Sequence, residues 1–331
     1  MKNKLTATGR RWMLAACMVM LCVGSLMVAA LPRAQEDETT RKLWDEGFLQ
    51  KRPAGKSQNP TPSAKRPVYR RVTPAVAETQ TTADATGDAK VGITVWRLRP
   101  PALTDDKEVR MLVYRKGSKQ KVGYTPERVE ADTPLLAGEY VRLSIEVPRT
   151  GFLYVIDREQ YDDGTLGEPH LIFPTLEIRD GDNAVTAGRV IEVPSQDDDP
   201  PYFELEAPPN NPHYAGEVLT MLVTKERLGD LKIGREPLKL SEAQVAAWEK
   251  KWGARTERLD LSGWAGKKYT KAEKAAGANP KQLLTRDDAL PQTIYFVAAD
   301  PSSPLLVKVP LKISKTGPKT QNKRPGGAKV S

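Results

Sequence analysis

Residues 140–148 read YVRLSIEVP, a two-residue alternation that puts Val141, Leu143, Ile145 and Val147 on one side and Arg142, Ser144 and Glu146 on the other. Only an extended strand turns such a repeat into one apolar face, because its successive side chains point to opposite sides. The pattern predicts a strand whose Arg/Ser/Glu face meets water. Just beyond it, residues 152–156 (FLYVI) are apolar on both faces, which predicts a central strand under cover. Thr150-Gly151 between the two runs reads as a turn, so the two strands are expected to be antiparallel neighbours.

Further strands are expected at 91–98, 109–114, 170–173, 190–193, 202–207, 218–224, 293–298 and 305–313. Pro310 has no N–H to give to a ladder, so the last should lie at a sheet edge. Helical signals interrupt the series. Ser241 and Gln244 form a capping box, with Leu240 and Val245 as its staple, opening a helix over about 241–253 that buries Val245, Trp248 and Trp252. Thr270 and Glu273 open a second over about 270–277. Many short antiparallel strands with Pro/Gly turns, and no β-α-β alternation, predict a mainly β chain. Its fold class is an antiparallel β-sandwich over 91–313, with a small helical insertion before a final hairpin at 293–313.

The ends read differently. Residues 1–30 carry Lys2, Lys4, Arg10 and Arg11 ahead of the uncharged run MLAACMVMLCVGSLMVAA, the pattern of an export signal. An 18-residue helix is about 27 Å long, close to the roughly 30 Å of a bilayer core, so an uncleaved anchor at 13–30 is the alternative to cleavage after the small residues Val28-Ala29-Ala30. Either way the rest of the chain is expected outside the cytoplasm, in the periplasm or beyond, touching the membrane only through this segment. Arg10-Arg11 leaves the twin-arginine route open beside the general one. Residues 31–90, rich in Pro, Thr, Ala and Lys, read as a disordered linker, and 314–331 as a basic disordered tail that suits anionic surfaces.

Charge and cysteine content exclude whole classes. The net charge of +9 resides in the ends, since residues 91–311 hold 30 basic and 34 acidic side chains. An exported, mildly acidic fold is not a nucleic-acid binder. Both cysteines, Cys17 and Cys22, lie in the signal, which excludes disulfides, thiolate metal sites and cysteine nucleophiles from the exported part. His170 and His213 are too few for a three-histidine zinc site.

The strand ending Pro148-Arg149-Thr150, then Gly151-Phe152-Leu153-Tyr154-Val155, an Asp/Gly loop, and Leu171-Ile172-Phe173-Pro174 resembles the bacterial domain-of-unknown-function 4384 family. Its members typically read G-Y-L-Y followed by L-F-P or I-F-P, and Phe152 stands here for the usual tyrosine. The resemblance covers about residues 91–225. It implies Gly151, Phe152, Leu153, Tyr154, Phe173 and Pro174 as a structural motif, and an interaction or sensing module; it transfers no catalytic residue and no ligand.

Between those runs lie the acidic residues Asp157, Asp162, Asp163 and Glu168, the candidates for calcium because hard oxygen donors suit that ion. EF-hand spacing fails in both registers: from Asp157 the required glycine falls on Asp162, and from Gly164 the twelfth ligand falls on His170. The preferred reading of Asp162-Asp163-Gly164-Thr165 is a hairpin turn. No other cofactor is implied. Trp96, Tyr154, Trp248, Trp252 and Trp264 are the aromatics a sugar or peptide groove would use, although helical spacing assigns Trp248 and Trp252 to packing. The expected function is therefore an exported cell-envelope binding module without catalysis, whose partners are envelope proteins or wall polymers. Its rivals are a secreted hydrolase using acidic loop residues, with or without calcium, and the extracytoplasmic part of a membrane-anchored sensor. Three or more carboxylates converging in a concave site would favour the hydrolase.

Overall fold

The computed structural model describes residues 52–55, 69–72, 89–114, 121–130, 132–208, 211–279 and 281–314. The predicted signal, most of the linker and the tail lie outside the described residues. So does the unit formed by residues 1–43. The remainder is a β-sandwich of two sheets, as the alternating patterns predict.

Sheet I is built around β2 (Ala89–Arg99). On one side its first half pairs with β15 (Thr293–Val297), followed by β14 (Thr256–Leu261) and β1 (Tyr69–Val72), while its second half pairs with β4 (Lys121–Val129) and then β3 (Met111–Tyr114). On the other side lies β6 (Tyr140–Glu146), flanked by β10 (Val190–Val193) and β11 (Phe203–Glu204). Sheet II has the order β13 (Leu238–Lys239), β8 (His170–Phe173), β7 (Gly151–Tyr161), β12 (Tyr214–Thr224), β16 (Leu305–Ser314) and β5 (Leu135–Leu136), with β9 (Ala184–Val185) also on β7.

The alternating apolar positions face each other across the sandwich. Val91, Ile93 and Val95 of β2, Leu143 and Ile145 of β6, and Tyr295 and Val297 of β15 meet Leu153 and Val155 of β7, Phe173 of β8, Leu219 and Met221 of β12, and Val307 and Val309 of β16. Each fully buried side chain of this size stabilises the fold by about 1.5–3 kcal/mol relative to exposure. A third layer covers the outside of sheet II. Helix α1 (Glu242–Trp252), capped where Ser241 Oγ accepts from Gln244 N, lays Val245, Trp248 and Trp252 on Tyr154, Ile156, Leu171, Leu222 and Leu306. That layer explains why residues 152–156 are apolar on both faces. Among the described residues no helix is long and apolar enough to cross a membrane.

Several expectations are corrected by the pairing. β6 and β7 are not neighbours, because Pro148-Arg149-Thr150 carries the chain from sheet I to sheet II. Residues 293–313 are likewise no hairpin: both edges of β15 are taken by β14 and β2, so the chain crosses at 298–304 and β16 joins β12 in the other sheet. Arg149 ties the two crossings together by donating to Ser303 O (2.6 Å) and Ala299 O (3.3 Å). The outward face of β6 is not wet either, since Arg142 and Glu146 are buried.

Other boundaries shift. The 202–207 strand shrinks to two residues, β12 begins at Tyr214, and the second helix α2 (Lys271–Ala278) runs one residue past Gly277. β4 and β14 had no expected strand, and besides residues 89–90, which open β2, two pieces of the 31–90 linker, 52–55 and 69–72, form part of the fold. Pro310 stands opposite Val218 of β12, and on the other side of β16, among the described residues, pairing is limited to Ile313 and Ser314 with β5, so the strand is an edge except at its last two residues.

Candidate functional site

The residues that carry the family resemblance turn out to be packing residues. A Cβ on Gly151 would stand 2.1 Å from Thr224 O, so only glycine lets β7 start that close to β12. Leu153 and Phe173 are in the core, Pro174 is buried beside them, and the Tyr154 hydroxyl accepts from Leu228 N at 2.8 Å. Phe152 lies under the Arg227 guanidinium, 4.7 Å from its ring centre.

The four calcium candidates are not brought together. Asp162 and Asp163 form the turn, with Gly164 at φ 82° and Gly164 N donating to Tyr161 O at 2.9 Å. Asp162 pairs with exposed His213 at 2.9 Å, Asp163 accepts from Thr165 N and Oγ1, and Glu168 pairs with Lys239 at 2.6 Å. Asp157 sits on β7 in phase with Leu153 and Val155 and therefore points into the sandwich. Among the described residues no group of three His, Cys, Asp or Glu side chains is placed to hold a metal ion. The aromatics proposed for a groove are instead packed: Trp248 and Trp252 stack at 6.0 Å on α1, and Trp96 is 1% exposed.

Asp157 instead meets Glu217 of β12 at the open end of the core. Asp157 Oδ1 and Glu217 Oε2 are buried with no N–H or O–H of another residue donating to them. Two carboxyl groups buried near each other do not both ionise readily, because neither charge is compensated. Burial pushes both acids up, Asp157 to about 6 and Glu217 to about 8, with the partner carboxyl adding to the rise at Glu217. The Tyr214 hydroxyl donates to Glu217 Oε1 at 2.6 Å, and Tyr161 donates to nearby Glu159 at 2.7 Å.

The densest charged arrangement lies on the outer face of sheet I. There β2 presents Gly92, Thr94 and Trp96, β6 presents Arg142, Ser144 and Glu146, and β10 presents Glu192. The cover is α2, whose Thr270–Glu273 box is complete, together with the strip 284–291. Arg142 donates to Glu192 (2.7 Å) and to Pro194 O (3.0 Å), and both side chains are 1% exposed. Glu192 also accepts from Gln196 at 2.9 Å and from the Tyr269 hydroxyl. Desolvation pushes the Glu192 carboxyl up and the Arg142 guanidinium down, and their mutual attraction opposes both shifts. Arg128 of β4 pairs with Glu273, donates to Leu290 O (2.6 Å), and lies between the rings of Trp96 and Trp264 at 5.0 and 5.2 Å.

The third buried pair has an unexpected donor. Glu146 is met by Arg52 of the linker, whose Nε and Nη2 donate to its two carboxylate oxygens. Arg52 Nη1 donates to Thr285 O, Asp288 O and Ala289 O at 3.3, 3.4 and 3.1 Å, and the side chain is 1% exposed. Burial raises the Glu146 carboxyl above its ordinary value, and Arg52 pulls it back. Sequence reading missed this layer. The usable signal was Arg142 and Glu146 in a strand flanked by apolar runs; nothing in the proline-rich context of Arg52 marks it as a buried residue.

Two measurements check these pairs. Breaking a buried ion pair from one side leaves a charge uncompensated, so Arg142→Met should cost about 3–5 kcal/mol in urea unfolding, while Arg142→Met with Glu192→Leu should recover most of that loss. For Asp157 and Glu217 the folded values lie above the unfolded ones of about 4, so the folded state binds more protons and the pair's contribution is full below about pH 4. It is lost as pH rises through 6 to 8. Glu217→Gln, which mimics the protonated acid, should match the parent at pH 5 and have the higher urea midpoint at pH 9; parallel midpoint curves would contradict the raised acids.

No family model matches the chain, no curated protein matches it, and no solved structure matches it.

Proposed function

We propose that the chain is an exported cell-envelope module that acts by binding extended polypeptide, and that one binding surface is the side of β14 that β1 now occupies. The observation that supports this reading is β1. A four-residue piece of the linker, Tyr69–Val72, pairs antiparallel with Leu261–Arg258 and adds itself as the last strand of sheet I. Strand addition is a recurring way for a sheet to take up a peptide, since an uncovered edge offers a row of backbone donors and acceptors. The linker then acts as a resident strand that a partner of the same extended form replaces. Partners of this kind are other envelope proteins. The resemblance to the domain-of-unknown-function 4384 family, whose members include exported proteins, agrees with this role.

A hydrolase is the second reading, favoured by one observation: Asp157, Glu159 and Glu217 approach one another at the end of the core. Against it, the Glu159 and Glu217 carboxylates are each held by a tyrosine hydroxyl, and Asp157 and Glu217 are turned toward each other. Those acids serve the fold better than they serve a substrate.

Replacing Arg70 and Arg71 together with proline removes two N–H groups from β1 and frees the edge. With a photo-crosslinking residue at position 257, the full-length double variant should give severalfold more adduct with an envelope protein in intact cells than the parent does. No adduct in either chain would overturn the edge-binding reading.

A further inference from the structure

We infer that the outer face of sheet I contains a guanidinium socket whose ligand is a Lys-Arg-Pro segment, with Arg52 as its resident occupant. The inference rests on the reading of the domain as a binding module, but it uses a surface separate from the β14 edge.

Among the described residues the socket presents five acceptor oxygens to the group it holds. Two carboxylate oxygens of Glu146 lie on one side and the carbonyls of Thr285, Asp288 and Ala289 on the other, all within hydrogen-bonding reach of one planar group. A guanidinium carries donors only, arranged as a fork, and satisfies such a set; a lysine ammonium is a point charge and cannot reach both sides. The walls are held by contacts that do not involve the arginine. Glu146 stands on a central strand, and the turn that supplies the carbonyls is held by Thr285 N and Oγ1 donating to Asp288 Oδ2 at 2.7 and 2.9 Å. Small residues make the space: the cleft beside Glu146 is floored by Gly92, Thr94 and Ser144. The socket is thus part of the domain, whereas its occupant arrives from outside it.

The backbone of the occupant is held as well. Arg286 N donates to Pro53 O at 3.1 Å and Arg286 Nε to Arg52 O at 3.2 Å, both backbone acceptors that any sequence provides. Specificity therefore comes from the arginine and from an extended backbone, which the following proline favours by disallowing helix at the residue before it. The same tripeptide occurs at three places: Lys51-Arg52-Pro53, Lys65-Arg66-Pro67 and Lys323-Arg324-Pro325. Two copies are in the linker and one is in the tail; residues 89–314 contain none. The linker and the tail, from one chain or from two, carry interchangeable keys for one lock.

The test uses the full chain with Arg52, Arg66 and Arg324 all changed to alanine, which empties the socket and removes every internal competitor. Labelled peptides LQKRPAGK (residues 49–56) and QNKRPGGA (residues 321–328) are titrated by fluorescence anisotropy. Both should bind the triple variant at least about tenfold more tightly than they bind the parent, as expected for a charge-assisted, two-pronged contact. Exchanging the peptide arginine for lysine, or adding Glu146→Gln to the protein, should remove about that factor. Chains in which only Arg52 and Arg66, or only Arg52 and Arg324, are changed then show the source, because the remaining arginine blocks the added peptide. Equal binding with and without Glu146→Gln would reveal charge attraction alone and overturn the socket, as would no binding to a cooperatively folded triple variant. Should the triple variant not fold, excess peptide must restore a cooperative thermal transition and the alanine peptide must not; absence of that recovery also overturns it. None of these failures touches the β14 edge, which is read independently.

Discussion

A carboxylate removed from water must meet positive charge or take up a proton, and sheet I sets that condition three times on its outer face. Glu146 and Glu192 are each at least 95% covered, and Glu273 is nearly so. Their partners come from different parts of the chain: Arg142 from the neighbouring strand, Arg128 from β4, and Arg52 from the linker. The outer face cannot be closed by an apolar helix of the kind that closes sheet II. It needs a cover that brings charge and hydrogen bonds, which accounts for the irregular strip 284–291 and for α2 with its acidic N-terminal turn. Buried pairs of this sort add little net stability, yet each is costly to break from one side, so they fix which pieces of chain lie together.

Layering follows from the same contrast. Sheet II is apolar on its inner face and on the part of its outer face that α1 covers with Val245, Trp248 and Trp252. Sheet I is apolar on one face and largely ionic on the other. Binding surfaces in such a molecule lie where the ionic layer and the sheet edge need a contribution from outside the sandwich. Both places at which linker residues dock, Glu146 and β14, are of that kind.

Much of this architecture was legible in the sequence. Alternation located β2, β6, β12 and β16; the capping residues Ser241 and Thr270 located both helices; Asp-Gly marked the turn after β7. Pairing was less legible. Pro148-Arg149-Thr150 has the composition of a hairpin turn, but it crosses between sheets, because both sides of β7 are taken by partners in sheet II. β4 escaped notice since Gly123 and Pro126 interrupt its pattern, yet it supplies Arg128. The polar side of β6 looks solvated from its own residues, and only the position of residues far along the chain shows that it is covered. Alternation locates a strand face; it does not tell what lies against it.

A linker arginine completes the buried layer of sheet I. Phenylglyoxal labelling of arginines in the native full-length chain, read residue by residue by mass spectrometry, measures whether it is buried there. Arg52, at 1% exposure, should label as slowly as Arg128 and Arg142 and far more slowly than Arg235, which is 78% exposed. Labelling of Arg52 at the rate of Arg235 would mean that the linker arginine is not part of the buried layer.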